Sequence, residues 1–369
     1  MVKIQHCKQC GRKIFFDGIC VACQTENERE RILAMPKEEL AAAVQSICRE
    51  IMETGDLEEH WGLFKNLLGY RDIDTTELAK AAFQKGLFYP SELYKDAPDD
   101  ITAKMLEMVM EDGTDPMLAG KLLLCLAVHG GEDVFQAFLE LERHPRKWRE
   151  KLYANPSVHA TYGGWSYDKD GNYLETNFKE CYPMVKGTLE EKKKSPVKIG
   201  VKTGETCPSC GCALVNLMEI DGSDPRLSFL GISGTAKAKC CPDCLIYSDS
   251  TFCRYEVNGE SRYFPGEGCS MAEDGPEGQW VEELASNCYV LGKDPVPPRY
   301  AADWEGGSSV GGFGFWIQDC EIKLCPDCGK PMKYLAQIQW DTVLEETEGN
   351  AYLEICRDCR IIAFLHQQT

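Results

Sequence analysis

The pattern of apolar and polar positions divides the chain into a helical part and a strand-rich part. From Thr25 to about Trp148, apolar residues recur at three- and four-residue steps, as in Glu38–Cys48, which is typical of amphipathic helices. Asp115-Pro116 has the residue types of a helix start, and Gly130-Gly131 those of a helix end. Helices of roughly ten to fifteen residues with short polar breaks predict antiparallel hairpins stacked as a small α-helical array.

Beyond Trp148 the helical period fades, and shorter strand-like runs follow. Asp168–Asn172 lies between two such runs and predicts a hairpin turn. A calcium loop is the alternative, but the glycine stands at the fourth position and the terminal glutamate is missing. Glu190–Pro196 is charged and contains a proline, which predicts a linker at a domain boundary.

The strand-rich half contains the same arrangement twice. In each copy two Cys-x-x-Cys pairs flank strand-like runs, first around 213–220 and then around 332–340. Thirty residues separate the inner cysteines of the first copy, and twenty-seven separate those of the second. Because the order pair, strand, turn, strand, pair, strand is shared, we interpret the half as an internal duplication.

Cysteine spacing gives the strongest chemical signal in the chain. Six Cys-x-x-Cys pairs occur among the 21 cysteines, where random placement would give roughly one. Two such pairs place four thiolates at the corners of a tetrahedron, which is the closed geometry of a structural zinc site. About three structural Zn²⁺ ions are therefore expected. The predicted ligands are Cys7, Cys10, Cys20 and Cys23; Cys207, Cys210, Cys241 and Cys244; and Cys325, Cys328, Cys356 and Cys359.

Other roles for the cysteines are less consistent with the spacing. Secreted disulfide scaffolds are usually small and lack it, and paired motifs so close together favour metal over redox chemistry. His6 is redundant once four cysteines are present. The remaining cysteines outside the helical part are expected to be buried thiols, with a fourth metal site as the alternative: Cys181, Cys212, Cys240, Cys253, Cys269, Cys288 and Cys320.

Chain length and the distribution of charge bear on how the chain divides into domains. A chain of 369 residues is too long for one ordinary core. We predict an α+β multidomain protein consisting of a zinc knuckle (1–31), an α-helical array (32–155), a β-hairpin with a charged linker (156–200), a first β-rich zinc-containing repeat (201–299) and a second one (300–369). The formal charge of −19 is distributed as about +2, −9, +1 and −13 over 1–31, 32–155, 156–200 and 201–369.

The charge distribution and the apolar pattern indicate where in the cell the protein is found and what it binds. No long segment is basic enough for sequence-independent nucleic-acid binding, so nucleic acid is disfavoured and a basic partner is favoured. No apolar stretch approaches about 18 residues, and the N-terminus lacks the apolar core of a signal peptide. We therefore expect a cytoplasmic protein in a reducing compartment, with no membrane partner.

Residues near the C-terminus resemble a known family. Ser308–Gln318, the Cys-Pro-x-Cys-Gly turn that follows and Met332–Gln339 are similar to the YwqG-like domain and, more distantly, to zinc proteins similar to programmed cell death protein 2. In those sequences a proline usually stands where Gly314 stands here. The resemblance covers 300–369 and, more loosely, 200–265. It implies a β-rich duplicated fold without established catalytic activity, with eukaryotic relatives that chaperone a ribosomal protein and bacterial relatives in toxin–immunity neighbourhoods.

No catalytic motif is recognisable in the sequence. The glycine-rich run Gly306–Gly314 lacks the Lys-Ser/Thr ending of a phosphate-binding loop, and tight turns against aromatic rings are the expected reason for its glycines. Four cysteines per site leave no open metal position for catalysis. We predict a non-catalytic zinc protein that binds a protein partner, chaperone-like or immunity-type. The alternatives are a nucleic-acid-binding zinc ribbon, since Lys8 and Lys13 lie near the first site, and an enzyme with an unrecognised site in the β-rich half.

Overall fold

The structure of the protein, a computed structural model, describes residues 4–11, 13–248, 251–266, 279–303, 306–344 and 347–369. The α-helices are α1 (Val21–Leu33), α2 (Lys37–Thr54), α3 (Trp61–Arg71), α4 (Thr76–Lys85), α5 (Asp99–Met110), α6 (Pro116–His129), α7 (Glu132–Arg143), α8 (Pro156–Ala160), α9 (Leu189–Lys194), α10 (Pro242–Tyr247), α11 (Gln279–Ser286) and α12 (Trp340–Val343). The strands are β1 (Gln5–His6), β2 (Lys13–Ile14), β3 (Trp165–Tyr167), β4 (Tyr173–Glu175), β5 (Cys181–Lys186), β6 (Val197–Thr206), β7 (Ala213–Asp221), β8 (Thr235–Cys240), β9 (Thr251–Tyr255), β10 (Ser261–Phe264), β11 (Tyr289–Leu291), β12 (Ser309–Gly311), β13 (Lys333–Gln339), β14 (Asn350–Cys356) and β15 (Ile361–Gln367). The predicted α+β class, with helices first and a β-rich half after them, is confirmed.

Helix α6 lies at the centre of the helical array. It begins as predicted, with Pro116 in its first turn and the Asp115 carboxylate accepting the Leu118 N–H at 3.1 Å. Its sequence is apolar on almost every side, and seven of its residues are buried: Ala119, Leu122, Leu123, Cys125, Leu126, Ala127 and Val128. In the described part of the chain, no helix has the length and apolar character that crossing a bilayer requires.

The helical core continues into the strand-rich part. Trp165 and Tyr167 of β3 and Cys181 of β5 are buried in the same apolar cluster as α6. The indole Nε1 of Trp165 donates to the Ala127 carbonyl at 2.9 Å, where α6 ends. The predicted hairpin at Asp168–Asn172 is confirmed, because β3 and β4 pair antiparallel on either side of it.

The β-rich half is built from two sheets that share one apolar core. A large sheet has the strand order β10-β9-β15-β14-β13-β12-β5-β11, and a second sheet has the order β6-β7-β8. Leu217 and Met218 of β7 are buried in the same cluster as Leu353 of β14 and Phe364 of β15. Every residue of β14 is buried, consistent with a central strand covered on both faces.

The two predicted copies are alike in their first two strands and differ in the third. β7 pairs with β8, and β13 pairs with β14, both antiparallel and both with one register shift. In the second copy β15 continues the sheet beside β14. In the first copy α10 intervenes after the second cysteine pair, and β9 leaves β8 to pair with β15. The third strand of the first copy thus joins the two copies together.

The segment 156–200 is more structured than the predicted linker. Residues 189–194 form α9, which begins with a reciprocal capping box between Thr188 and Glu191. The Lys192 side chain is buried, and its Nζ donates to two backbone carbonyls, those of Ala285 and Asn287, at 3.0 and 2.9 Å. β5 pairs with β11 and β12, so this segment supplies a strand of the large sheet. The charged residues 190–194, predicted as part of a linker, thus belong to a capped helix whose Lys192 side chain is buried.

A partly buried charge cluster lies between the helical array and the β-rich half. Nζ of Lys65 on α3 contacts the Glu92 carboxylate at 2.9 Å, and both side chains are mostly buried. Burial alone would raise the pKa of Glu92, but the positive charges of Lys65 and Arg299 outweigh it and lower this pKa to about 2. Arg299 also stacks over the Phe313 ring at 4.3 Å. The cluster therefore ties α3 to the loop before β12.

Replacing Glu92 tests this connection. We expect Glu92→Gln to lower the free energy of unfolding by about 3 kcal/mol near neutral pH, because it removes the strongest counter-charge of Lys65 and Arg299. Since the pKa of Glu92 falls from 4.5 to about 2 on folding, this stabilisation is complete above pH 4.5 and is lost as the pH approaches 2. Denaturant unfolding at several pH values measures both effects. The control is Glu53→Gln on the exposed side of α2, and equal stability of the two variants would contradict the account.

Candidate metal centres

The first cysteine pair of each predicted site is held by the same turn. Gly11, Gly211 and Gly329 follow these pairs directly and have φ values of 76°, 78° and 69°. Their amide N–H groups donate to the carbonyl of the first cysteine of the pair at 3.0, 3.0 and 2.8 Å. Glycine adopts this left-handed conformation at little cost, which explains its presence at all three positions.

The second cysteine pair of each site lies where a regular element begins or ends. Cys20 and Cys241 are the N-cap residues of α1 and α10, so these pairs open helices. Cys359 lies in the turn between β14 and β15, and the next residue, Arg360, has φ of 56°. Arg360 also pairs with Glu256 at 3.2 Å, just beyond β9. The second pairs therefore lie at two helix starts and in one β-hairpin turn, whereas the first pairs all share one kind of turn.

The structure brings the predicted ligands together in three sets of four. Within each set all sulfur atoms lie within 4.8 Å of one another. The sets are Cys7, Cys10, Cys20 and Cys23 (cluster I); Cys207, Cys210, Cys241 and Cys244 (cluster II); and Cys325, Cys328, Cys356 and Cys359 (cluster III). Each could hold one metal ion, and each joins segments that are distant in sequence.

The spacing of the sulfur atoms fits a tetrahedral ion. Sulfur–sulfur distances include 3.6 and 3.8 Å in cluster I, 3.4 and 3.6 Å in cluster II and 3.7 Å in cluster III. Metal–sulfur bonds of about 2.3 Å place tetrahedral ligands about 3.8 Å apart, close to these sulfur–sulfur distances. The donor set and its size therefore match Zn²⁺, and they also match a thiolate-bound iron.

Backbone amides favour a negative charge on one thiol of each cluster. The Cys10 N–H, together with those of Cys20 and Gln9, lowers the pKa of Cys7 to about 5. Burial opposes ionisation of Cys210, but the Cys212 N–H and nearby thiols lower the pKa of Cys210 overall. The Lys330 N–H likewise lowers the pKa of Cys328. One thiolate per cluster is thus stabilised by the protein itself.

Several other thiols of the clusters have a raised pKa and resist ionisation when no cation is near. Burial, followed by the neighbouring thiols, raises the pKa of Cys23 to about 12 and that of Cys359 to about 11. Burial also raises the pKa of Cys356 and Cys241. Four thiolates within one cluster therefore need a cation to offset their mutual repulsion, and a bound metal would supply that charge.

The clusters differ in exposure to solvent. All four cysteines of cluster II are buried, between 0 and 5 % exposed. Cys10 of cluster I and Cys328 of cluster III are exposed. An attacking thiol reagent or chelator can therefore reach clusters I and III at one ligand each, whereas cluster II has no exposed ligand.

The remaining cysteines form no metal group among the residues that the structure describes. Cys181, Cys240 and Cys253 are fully buried, Cys212 and Cys320 nearly so, and Cys288 is half-buried. Cys269 lies outside the described residues. Burial raises the pKa of Cys181, Cys253 and Cys320 to about 12, so these side chains are neutral packing groups near neutral pH.

One further group of potential ligands has a structural explanation. Glu50, Glu59 and His60 bring one ligand atom each to within 4.8 Å of one another. The buried Glu50 carboxylate accepts the backbone N–H groups of Glu59 and His60 at 2.7 and 3.1 Å, and it contacts His60 Nδ1 at 2.7 Å. These contacts cap the start of α3, which supports the predicted structural role of His60.

The glycine-rich run before β13 packs against backbone, as the sequence predicts. A Cβ atom on Gly311 would lie 2.2 Å from the Glu180 carbonyl, and one on Gly312 would lie 2.3 Å from the Pro298 carbonyl. At Gly314 it would meet the Tyr334 ring at 2.8 Å. These close approaches leave room only for glycine and need no bound phosphate to explain them.

Three closed sets of four cysteines on Cys-x-x-Cys turns, within an α+β fold, define a tetracysteine protein that can bind metal at three places. The chain is similar to a protein of Salmonella typhimurium (strain LT2) described as uncharacterised protein YpfL. The two are 28% identical over 278 residues, which cover 74% of this chain and 64% of that protein. No protein-family model matches the chain. No solved structure matches it either.

The different solvent exposure of the three clusters predicts that they lose metal at different rates. With excess chelator and a mercurial thiol reagent, we expect the metal of clusters I and III to leave before that of cluster II, because only the first two offer an exposed sulfur. A chromogenic chelator follows the release. Cys10→Ser should remove part of the fast phase, and Cys210→Ser should remove the slow phase. Release of all metal in one phase from the wild-type chain would contradict the prediction.

Proposed function

We propose that the chain is a cytoplasmic, non-catalytic zinc protein that holds three structural Zn²⁺ ions and binds a protein partner. Zinc is proposed because four thiolates in a closed tetrahedral set match its preferred structural site. A non-catalytic role is proposed because such a set leaves no position for water or substrate. The resemblance of residues 300–369 to the YwqG-like family, which has no established catalysis, agrees with this proposal.

The observation that carries the proposed binding role is an exposed apolar tip on the N-terminal module. Ile4, Phe15 and Phe16 are 57, 68 and 46% exposed. Gln5 pairs with Ile14 in the β1–β2 hairpin, so the same register places Ile4 opposite Phe15. Exposed aromatic and aliphatic side chains gathered in this way are characteristic of protein-binding surfaces.

The metal cluster explains how so small a module can present this tip. The apolar core of the module consists of Ile14, Ile19 and three cysteines of cluster I, namely Cys7, Cys20 and Cys23. A core of this size cannot stabilise a fold alone, so metal binding would supply the folding free energy, on the order of 10 kcal/mol. Phe15 and Phe16 are therefore available to a partner because cluster I fixes the hairpin without them.

The net charge of the helical array suggests which side chains a partner would carry outside its contact with the apolar tip. The segment 32–155, which follows the module, carries fourteen basic and twenty-three acidic residues. A partner with apolar side chains for the tip and basic side chains for the helical array would match both surfaces. Lys8 near the tip is paired with Asp17 at 2.9 Å, which reduces its availability to nucleic-acid phosphates.

Substitution at the tip separates binding from folding. We expect affinity capture from the native host to recover a stoichiometric protein partner, and we expect Phe15→Ser with Phe16→Ser to weaken that complex by roughly 30-fold, the effect of losing an aromatic hot spot. Binding is measured by calorimetry with the purified partner. The double variant should keep its full metal content.

The matched control is Tyr153→Ser, which changes an aromatic side chain that is 92% exposed on a different element. It should leave the affinity unchanged. Recovery of nucleic acid alone would favour the zinc-ribbon alternative and contradict the proposal. A partner that binds the double variant as tightly as the wild type would exclude the apolar tip.

A further inference from the structure

A trough of about 750 Å³ runs between the β6-β7-β8 sheet and the β9–β10 hairpin. Its floor is the face of the sheet that carries Asn216 and Lys239, which are paired across β7 and β8. Its wall is the hairpin, with Arg254 and Arg262 directly opposite each other. None of the cysteines in the three clusters lines it. The trough is thus separate from both the metal centres and the apolar tip.

The floor contains a buried acceptor without a donor. Asn216 is only 5% exposed, and its Nδ2 donates to Glu219 at 2.7 Å. Its Oδ1 has no hydrogen-bond partner among the described residues, and neither does Ser261 Oγ on the wall. A buried amide oxygen left without a donor is destabilising, so an N–H donor entering the trough would recover that loss.

Charged side chains of both signs line the trough without forming ion pairs among the described residues. Lys237 and Glu219 lie opposite each other in the register of β7 and β8, yet neither makes an ion pair with a described residue within 4.0 Å. On the wall, Arg262 and Glu260 likewise make no such pair, and Arg262 lies over the Phe264 ring instead. Lys239 is the contrasting case, because its Nζ contacts the Glu205 carboxylate at 2.6 Å.

We propose that this trough binds an extended peptide segment that carries both acidic and basic side chains. Lys237 and Arg262 receive its carboxylates, Glu219 and Glu260 receive its basic groups, and Asn216 Oδ1 accepts one of its backbone N–H groups. An extended peptide supplies all of these groups along one line. The carboxylates of Glu219 on the floor and Glu260 on the wall would repel a nucleic-acid backbone, and the polar lining offers little to an apolar ligand.

The inference deepens the proposed function, and it rests on that function because it gives a protein partner a second contact. The two can still fail separately. Loss of the partner complex on changing Phe15 and Phe16 concerns the apolar tip, whereas the trough is tested with peptides in the absence of the partner.

The test uses a displayed library of random twelve-residue peptides selected against the full metal-loaded chain. We expect the enriched peptides to contain at least one acidic and one basic residue. Fluorescence anisotropy with the most enriched peptide should then show at least a tenfold loss of affinity for Lys237→Glu and for Arg262→Glu. Lys147→Glu, which changes an exposed lysine outside the trough, is the matched control and should bind as the wild type does.

A charge exchange distinguishes direct contact from damage to the fold. A peptide in which the responsible acid is replaced by lysine should bind Lys237→Glu or Arg262→Glu at least tenfold more tightly than the original peptide does. Failure to enrich any peptide, enrichment of peptides with one sign of charge only, or binding that is insensitive to both variants would each overturn the proposal. Absence of rescue by the exchanged peptide would do so as well.

Discussion

The mutual repulsion of four neighbouring thiolates, and its relief by a cation, is the constraint on which this structure depends. Each cluster gathers sulfur atoms within 4.8 Å, and in each the backbone amides lower the pKa of one thiol, that of Cys7, Cys210 or Cys328. A bound metal would convert that repulsion into a cross-link between two turns. Cluster II joins the β6–β7 turn to the start of α10, and cluster III joins the approach to β13 to the β14–β15 turn.

Such cross-links would explain how the two predicted copies can share their first two strands and differ in the third. Both copies have a cysteine pair before the first strand and another after the second, so a metal bound by these pairs would hold the same two strands in each. The third strand is outside that restraint. In the first copy it pairs with β15 of the second copy, and one sheet then spans both. Because β9 leaves the first copy, the β9–β10 hairpin and the β6-β7-β8 sheet can enclose the trough beside β8.

Local chemistry could be predicted from the sequence, and long-range pairing could not. The twelve clustered cysteines follow from spacing, and the start of α6 follows from Asp115-Pro116, because both signals act over a few residues. The capping box of α9 was also present in the sequence, but its charged composition suggested a linker. β5 pairs with β12, and the β9–β10 hairpin lies across the trough from Asn216. Both arrangements depend on contacts between distant segments that no local pattern encodes.

X-ray absorption spectroscopy of the metal-loaded chain tests the central claim most directly. If each cluster is a closed structural zinc site, metal analysis combined with the zinc-edge spectrum should give about three zinc ions per chain, each with four sulfur neighbours at about 2.3 Å. A first shell containing nitrogen or oxygen would contradict the closed geometry, since it would mean that water or another ligand reaches the metal. Iron in place of zinc, or a folded chain without metal, would contradict the claim as well.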